Sequence, residues 1–428
     1  MEYFDIRGGG TVAGEIVLSG NKNEALPVLA ASLLTDETVI IRNVPDIIDV
    51  RVMLEIMERL GVSIERPEPH RLILCARGMT DRPLDRELCA RIRTSFLFVG
   101  PLLSRWRRVE VPLPGGDIIG RRRLDTHFLG FTRLGALCEV SEAGYRFSSN
   151  GLRGAEIHLD EASVTGTENI LMAAVCAEGR TVIHNAACEP HVQGLCSFLN
   201  AIGAHIEGVG TNRLTIEGVS SLTGADYTIG PDHIEAGSFI ALAAVTGGSI
   251  TVKNAAPHLL HNIQRAFGII GIETQERGQD IVVSPRERMV IRKDLHNAVP
   301  RIDDGPWPSF PSDLMSIAIV AATRAEGTIL FFEKMFESRL YFVDRLIQMG
   351  AQIILCDPHR VVVSGPSALY GATLESPDIR AGMALLIAAA AAQGRSRIHN
   401  IRQIDRGYER IEEKLGKIGI TIDRCKLK

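Results

Sequence analysis

Six times along the chain a helix-period segment ends in an apolar residue and a glycine, and a short run of β-type residues follows. The copies are Leu60-Gly61-Val62-Ser63-Ile64, Leu134-Gly135-Ala136, Ile202-Gly203-Ala204-His205-Ile206, Ile270-Gly271-Ile272, Met349-Gly350-Ala351-Gln352-Ile353 and Ile418-Gly419-Ile420-Thr421-Ile422. The glycines recur about every 70 residues, the mark of a repeated supersecondary unit. Each suits the left-handed conformation that ends a helix, where a Cβ is penalised. The simplest fold is therefore six copies of one unit.

Upstream of most copies lie a small-residue helix and a β-branched strand closing on asparagine: Val39-Ile40-Ile41-Arg42-Asn43, Thr181-Val182-Ile183-His184-Asn185, Ile250-Thr251-Val252-Lys253-Asn254 and Arg397-Ile398-His399-Asn400. Each unit reads helix, strand, helix, strand, an α/β architecture with helices packed on sheets. Segments 239–245 and 317–322 lack a polar face and are expected inside their lobes. At 428 residues the chain exceeds one typical core, so six units divide into two lobes of three, with a boundary near Gly230-Pro231. The Pro-rich run 304–313, which contains Trp307, follows neither period. Irregular segments of that length are more often functional than not.

The densest chemistry lies at 111–125, Val-Pro-Leu-Pro-Gly-Gly-Asp-Ile-Ile-Gly-Arg-Arg-Arg-Leu-Asp. Gly115 and Gly116 let a ligand approach the main chain. Asp117 can exchange a proton while Arg121, Arg122 and Arg123 neutralise phosphate or carboxylate oxygens. The plain alternative is a tight turn with a solvated charge run. Five other segments place charge at presumed helix starts: Ser19-Gly20-Asn21-Lys22-Asn23, Arg91-Ile92-Arg93-Thr94-Ser95, Asp313, Asp378-Ile379-Arg380 and Ile404-Asp405-Arg406-Gly407. For Lys22 and Asp313 the competing readings are a solvated lysine beside an N-cap and a capping aspartate. Together these segments supply Lys22, Arg93, Arg122, Arg380 and Arg406 as cations, with Asp117 and Asp313 as acid and base. That inventory suits a substrate bearing carboxylate and phosphate.

Several classes are excluded. The net charge of −4 and dispersed basic residues argue against a nucleic-acid surface. Eight cysteines (Cys75, Cys89, Cys138, Cys176, Cys188, Cys196, Cys356, Cys425) form no CxxC pair, so neither a zinc site nor a disulfide framework is expected. No Walker loop, post-strand GxGxxG or Ser-His-Asp order accompanies the arginines. The most apolar run, 383–392, is too short for a membrane span, and residues 1–7 do not read as a signal peptide. A cytoplasmic protein with no cofactor is expected.

The motifs Gly20-Asn21-Lys22-Asn23, Leu113-Pro114-Gly115-Gly116-Asp117, Phe310-Pro311-Ser312-Asp313, Asp378-Ile379-Arg380-Ala381 and Ile404-Asp405-Arg406-Gly407-Tyr408-Glu409-Arg410 closely resemble those of the UDP-N-acetylglucosamine enolpyruvyl transferases, in the same order from about residue 4 to 423. The resemblance implies a two-lobed inside-out α/β barrel with three βαβαββ units per lobe. The first lobe would be residues 22–230, carrying loop 111–125 as a mobile lid, and residues 1–21 would join 231–428. It implies transfer of the enolpyruvyl group of phosphoenolpyruvate to a sugar hydroxyl, through a tetrahedral phospho-ketal, with loss of phosphate. By motif, Asp313 takes the hydroxyl proton and Asp117 protonates carbon. Lys22, Asn23, Arg122, Arg380 and Arg406 would bind phosphoenolpyruvate. Asn23, Arg93, Arg122, Arg123, Leu124, Asp125, Thr126, Ser163, Val164, Asp313 and Met335 would contact UDP-N-acetylglucosamine.

Asp117 stands where most members of that family carry cysteine. A carboxyl cannot be alkylated as a thiolate can, so insensitivity to the thiol-alkylating antibiotic fosfomycin is expected. Arg123 replaces a usual proline and Cys188 a usual arginine, while Ile48 and Glu161 stand where some members have lysine. These departures keep open an alternative, a paralogue acting on another nucleotide or UDP-sugar.

Overall fold

The computed structural model describes residues 2–117, 119–285 and 288–426. The chain divides into two compact units. One comprises Gly20–Asp117 and Arg122–Gly230; the other comprises Met1–Ser19, Ile118–Arg121 and Pro231–Lys428.

One sheet topology accounts for nearly every unit of the repeat. The described residues form five four-stranded sheets and one three-stranded sheet. In each four-stranded sheet a short edge strand pairs parallel with the strand after the first helix. In four of the five that strand then pairs antiparallel with one arm of a hairpin; in the fifth, Arg395–His399 pairs antiparallel with the N-terminal strand Glu2–Arg7, which pairs in turn with Thr421–Lys426. Thus Glu156–His158 pairs parallel with Arg180–His184, which pairs antiparallel with Arg213–Glu217, itself paired with His205–Glu207. After five of the six signature glycines the predicted strand is therefore the first arm of a hairpin, whose return arm is the addition to the helix-strand-helix-strand reading; after Gly419 the strand Thr421–Lys426 pairs with Glu2–Arg7 instead. The six glycines have φ of 96°, 90°, 102°, 89°, 103° and 100°, the left-handed region each position requires.

The asparagines that close the strands have an equally local cause. Asn43, Asn185, Asn254 and Asn400 have φ of 57°, 57°, 51° and 56°, which asparagine tolerates best among residues bearing a Cβ. From that turn Asn43 donates its amide to Ile229 O, Asn185 to Leu159 O and Asn400 to Ser376 O. Each acceptor directly follows a parallel edge strand, so the asparagine ties that strand's end to its neighbour.

The three-stranded sheet of Arg108–Pro112, Leu137–Ser141 and Gly144–Ser148 departs in another way, having no parallel edge strand among the described residues. Loop 111–125 leaves from the end of its first strand.

Each unit has its own apolar core. In the unit containing residues 231–428 the core is built on the helices His233–Val245, Met315–Ala322 and Ile379–Ala391, buried at every position except Ala244 and Ala391. In the other unit the corresponding helices are Lys22–Ala31, Val99–Trp106 and Val164–Ala174. Helices with no polar face are stable only when enclosed on all sides, as the sheets and outer helices enclose these. No helix among the described residues is long and apolar enough to cross a membrane.

Candidate functional site

Of the predicted site residues, Lys22, Asn23, Ser163, Val164, Asp313 and Arg380 stand at the N-terminal ends of the inner helices, where unpaired N–H groups and the helix dipole favour anions, and the others lie outside those helix starts. Together the predicted residues form one cluster in each unit.

The first cluster begins at Lys22. A Cβ on Gly20 would lie 1.7 Å from Asn43 O, so only glycine lets the chain pass the strand end there. Asn21 then caps helix Lys22–Ala31, accepting from the Asn23 N–H at 2.9 Å. Lys22 is not a solvated neighbour of that cap. It is 7% exposed, and its Nζ lies 2.8 Å from Oδ2 of Asp49, which is 3% exposed in the first turn of helix Ile48–Arg59. A lysine in a helix's first turn is electrostatically disfavoured. Its enclosure beside a carboxylate holds a cation where the backbone already attracts anions. Asn23 is half-buried beside it.

The loop packs on Ala90 and Arg93. A Cβ on Gly115 would meet Ala90 O at 1.8 Å, and the Gly115 N–H donates to Cys89 O at 3.1 Å. Gly116 has φ 116°, and a Cβ there would lie 2.9 Å from Arg93 Cβ and 3.1 Å from Arg122 Nη1. The two glycines thus bring Arg93, Arg122 and half-buried Asp117 together. Arg93 Nη2 donates to Arg122 O at 2.5 Å. Burial, and then the Arg122 charge, push Arg93 down to about 10. Two guanidinium groups crowded this way are relieved by an anion.

Beneath them His127 is fully enclosed and held down to about 3 by burial and then by Arg93, so its imidazole is neutral. Its Nε2 lies 3.2 Å from Thr165 Oγ1 and its Nδ1 3.2 Å from Asn169 Nδ2. Asn169 in turn accepts from Gly100 N–H at 2.7 Å and donates to Phe96 O at 2.8 Å. This network fixes the floor under Arg93.

Arg123 is exposed and joins Asp125 at 3.2 Å and Asp160 at 3.0 Å. Thr126 Oγ1 donates to Asp160 Oδ1 at 2.7 Å. Leu124 is buried, and Asp125 opens helix Asp125–Arg133. Ser163 caps helix Val164–Ala174 through the Gly166 N–H, and a Cβ on Gly166 would lie 3.0 Å from Thr126 Cγ2, so the two helix starts lie side by side. Ile48 packs against the core and Glu161 is exposed. Cys188 is half-buried, its thiol pushed up by burial and then by Glu189.

The second cluster centres on Asp313, within the turn Ser312–Leu314 that leads into Met315–Ala322. Its carboxylate engages two arginines: Oδ2 accepts from Arg380 Nη2 at 2.9 Å and Nε at 3.0 Å, and Oδ1 from Arg339 Nη2 at 3.2 Å. The helix cap is elsewhere. Asp378 caps the inner helix Ile379–Ala391, accepting from Arg380 N–H at 2.8 Å and Ala381 N–H at 2.9 Å. Arg380 is 5% exposed, and its guanidinium lies 5.4 Å from the Tyr408 ring centroid. Burial opposes its charge, but Asp313, Tyr408 and Asp232 outweigh that effect and hold it firmly protonated. Its Nη1 is buried and meets no hydrogen-bond acceptor among the described residues. A buried cationic N–H in that condition is a ready contact for an anionic ligand.

Arg406 is half-buried, its Nη1 donating to Gln403 Oε1 at 3.0 Å. Met335 is 38% exposed, and its N–H donates to Glu333 Oε1 at 3.2 Å. Trp307 of the Pro-rich run meets the buried His233 ring edge-on, 6.1 Å between centroids.

Sequence reasoning missed the partners that set these groups. Asp49, Asp160, His127, Glu333 and Arg339 carry no local signal of their own. Among the described residues no group of three or more His, Cys, Asp or Glu side chains could hold a metal ion.

Comparisons with known proteins agree with one another. The family profile described as EPSP synthase (3-phosphoshikimate 1-carboxyvinyltransferase) matches residues 6–415. A UDP-N-acetylglucosamine 1-carboxyvinyltransferase of Borreliella burgdorferi is 50% identical over 426 residues, covering 100% of both chains. Proteins of the same description from Treponema pallidum and Bradyrhizobium diazoefficiens are 52% and 51% identical. They cover 99% of this chain and 99% and 98% of their own. Among solved structures, the enolpyruvyl transferase NikO from Streptomyces tendae superposes with a TM-score of 0.89 at 23% identity, covering 100% of this chain and 99% of its own. An EPSP synthase from Acinetobacter baumannii gives 0.76 at 19% identity, with full coverage of both chains. At those identities the structural likeness speaks for the fold alone.

Proposed function

Because the chain belongs to the EPSP synthase family and, within it, to the UDP-N-acetylglucosamine 1-carboxyvinyltransferases, we propose that it transfers the enolpyruvyl group of phosphoenolpyruvate to the 3-hydroxyl of UDP-N-acetylglucosamine with release of phosphate. The observation that carries the reading is the full-length identity of about half with relatives so described. The cations of the two clusters support it, Lys22 and Arg380 buried at helix starts and Arg93, Arg122 and Arg406 half-buried, since both substrates are anions.

In this reading Asp313 accepts the proton of the 3-hydroxyl as its oxygen attacks C2 of phosphoenolpyruvate, and Asp117 delivers a proton to C3. The product is a tetrahedral ketal that still carries phosphate. Loss of a C3 proton and cleavage of the C2–O bond to phosphate then regenerate the double bond. Lys22, Arg122 and Arg406 hold the phosphate and stabilise charge that grows as it leaves. Arg380, with its unfilled Nη1, and Arg406 face the carboxylate. Asn23, Arg93, the segment 122–126, Ser163, Val164 and Met335 contact the nucleotide sugar. Loop 111–125 serves as a lid, its glycines allowing the movement. The reaction supplies the first committed precursor of peptidoglycan and belongs in the cytoplasm, where eight free cysteines are at home.

The test is phosphate release from phosphoenolpyruvate across acceptors. UDP-N-acetylglucosamine is expected to support turnover, while UMP and shikimate 3-phosphate are not. Faster release with either of those reverses the assignment.

A further inference from the structure

Behind Asp313 lies an enclosed acidic pair that the proposed chemistry does not use. The parallel strands Arg301–Asp303 and Gly327–Phe332 are paired in register through Asp303 and Phe332, so the next residues, Asp304 and Glu333, leave the sheet together. Asp304 is 2% exposed and Glu333 0%. Glu333 Oε1 accepts from the Met335 and Phe336 N–H groups at 3.2 and 3.1 Å, and Ser312 Oγ lies 2.9 and 3.0 Å from its two carboxyl oxygens. Asp304 Oδ1 accepts from Lys334 N–H at 2.5 Å, whereas its Oδ2 is buried and meets no donor among the described residues.

A proton held between Glu333 and Asp304 satisfies that oxygen; two ionised carboxylates side by side in an enclosed site do not. Burial, and then the interaction with Asp304, push Glu333 up to about 9, in the same direction. On its other side Glu333 Oε2 lies 3.6 Å from Arg339 Nε, a charge contact longer than a hydrogen bond, and that buried Nε meets no acceptor among the described residues; Arg339, 4% exposed, reaches Asp313 through Nη2.

We infer that Glu333, sharing one proton with Asp304, is a positioning residue that holds Arg339 against Asp313. The inference rests on the reading of Asp313 as the base that takes the sugar hydroxyl proton. Asp313 faces Arg339, Arg380 and His233 among others, and Glu333 faces Asp304, Arg339 and Ser312, with His359 on its carbonyl. The pair lets a buried arginine be oriented by a neutral acid, so that its charge remains directed at Asp313.

The test compares Glu333→Gln and Glu333→Ala in the full chain. Glutamine reproduces the protonated carboxyl, so kcat is expected within about threefold of wild type. Alanine releases Arg339, and kcat is expected to fall at least about tenfold, with KM for UDP-N-acetylglucosamine changed by less than about twofold. In the ligand-free protein labelled with 13C-carboxyl aspartate, and with the Asp313 resonance assigned from its loss in Asp313→Asn, the Asp313 titration midpoint is expected to move up by roughly half a pH unit in Glu333→Ala and to stay in Glu333→Gln. Equal loss in both variants overturns the shared proton. Unchanged kcat and midpoint in Glu333→Ala, even with a lowered melting temperature, overturn the positioning role. The base reading is tested separately: full turnover of Asp313→Asn refutes it, while the titration still reports whether Glu333 acts on Asp313.

Discussion

Replacing Gly115 with alanine tests whether the loop must sit where the structure places it. The new Cβ would lie 1.8 Å from Ala90 O and 2.5 Å from Ala90 C, and real Cβ contacts do not fall below 3.0 Å. The obstacle is backbone, at the end of helix Arg86–Cys89, so the loop must yield. The shift needed is at least 3.0 − 1.8 = 1.2 Å, and it also strains the bond from Gly115 N–H to Cys89 O. Misplacing a reacting group by 1 Å costs about 100-fold in rate, or about 2.7 kcal/mol of barrier. Asp117 is two residues away, so kcat for Gly115→Ala is expected to fall about 100-fold in a phosphate-release assay. The melting temperature is expected to stay near wild type, since the loop lies outside the core. Gly416→Ala, where a Cβ meets nothing within 4 Å, is the matched control. A Gly115→Ala protein that keeps wild-type kcat refutes the placement of the acid on this loop.

Other consequences follow from named groups. Asp117→Cys is expected to retain turnover and gain time-dependent inactivation by fosfomycin, while wild type resists; labelling of the wild-type loop contradicts this. Lys22→Ala removes the cation 2.8 Å from enclosed Asp49, a loss of at most about 3–5 kcal/mol in urea unfolding, whereas Lys22→Met with Asp49→Leu recovers stability but no activity. His127 is neutral in the fold and held to about 3, against 6.5 when free. The unfolded chain therefore binds the extra proton first. The stability His127 contributes is complete above pH 6.5 and is lost as pH falls toward 3, at about 1.4 kcal/mol per unit. A His127→Asn variant is expected to show a shallower acid limb in chemical unfolding at successive pH values.

The repeat was readable because its causes are local. A glycine at φ near 100° and an asparagine near 55° each answer to the residue's own backbone preference, and both recur at fixed places in the unit. The parallel edge strands were not readable. Asp226–Thr228 is three residues long and pairs with Val39–Arg42 at the far end of its unit, and the N-terminal strands Glu2–Arg7 and Ala13–Val17 complete sheets whose other strands lie beyond residue 230. Nothing within so short a strand specifies a partner that distant. The candidate site divides in the same way. Lys22, Arg93, Asp313, Arg380 and Arg406 were found as charge placed at presumed helix starts, and Asp117 and Arg122 as the acid and cation of the Gly-Gly loop. What distinguishes them from solvated caps is burial and long-range pairing, as in Lys22 with Asp49 and Asp313 with Arg339, and those exist only once the chain has folded.

The most direct test of the account is phosphate release from phosphoenolpyruvate with UDP-N-acetylglucosamine, for wild type and Asp117→Asn side by side. Turnover by the wild type, reduced about 100- to 10,000-fold in the asparagine variant, is the predicted result, the range expected for loss of a general acid. No release by the wild type contradicts the assigned function, and equal release by both removes Asp117 as the proton donor.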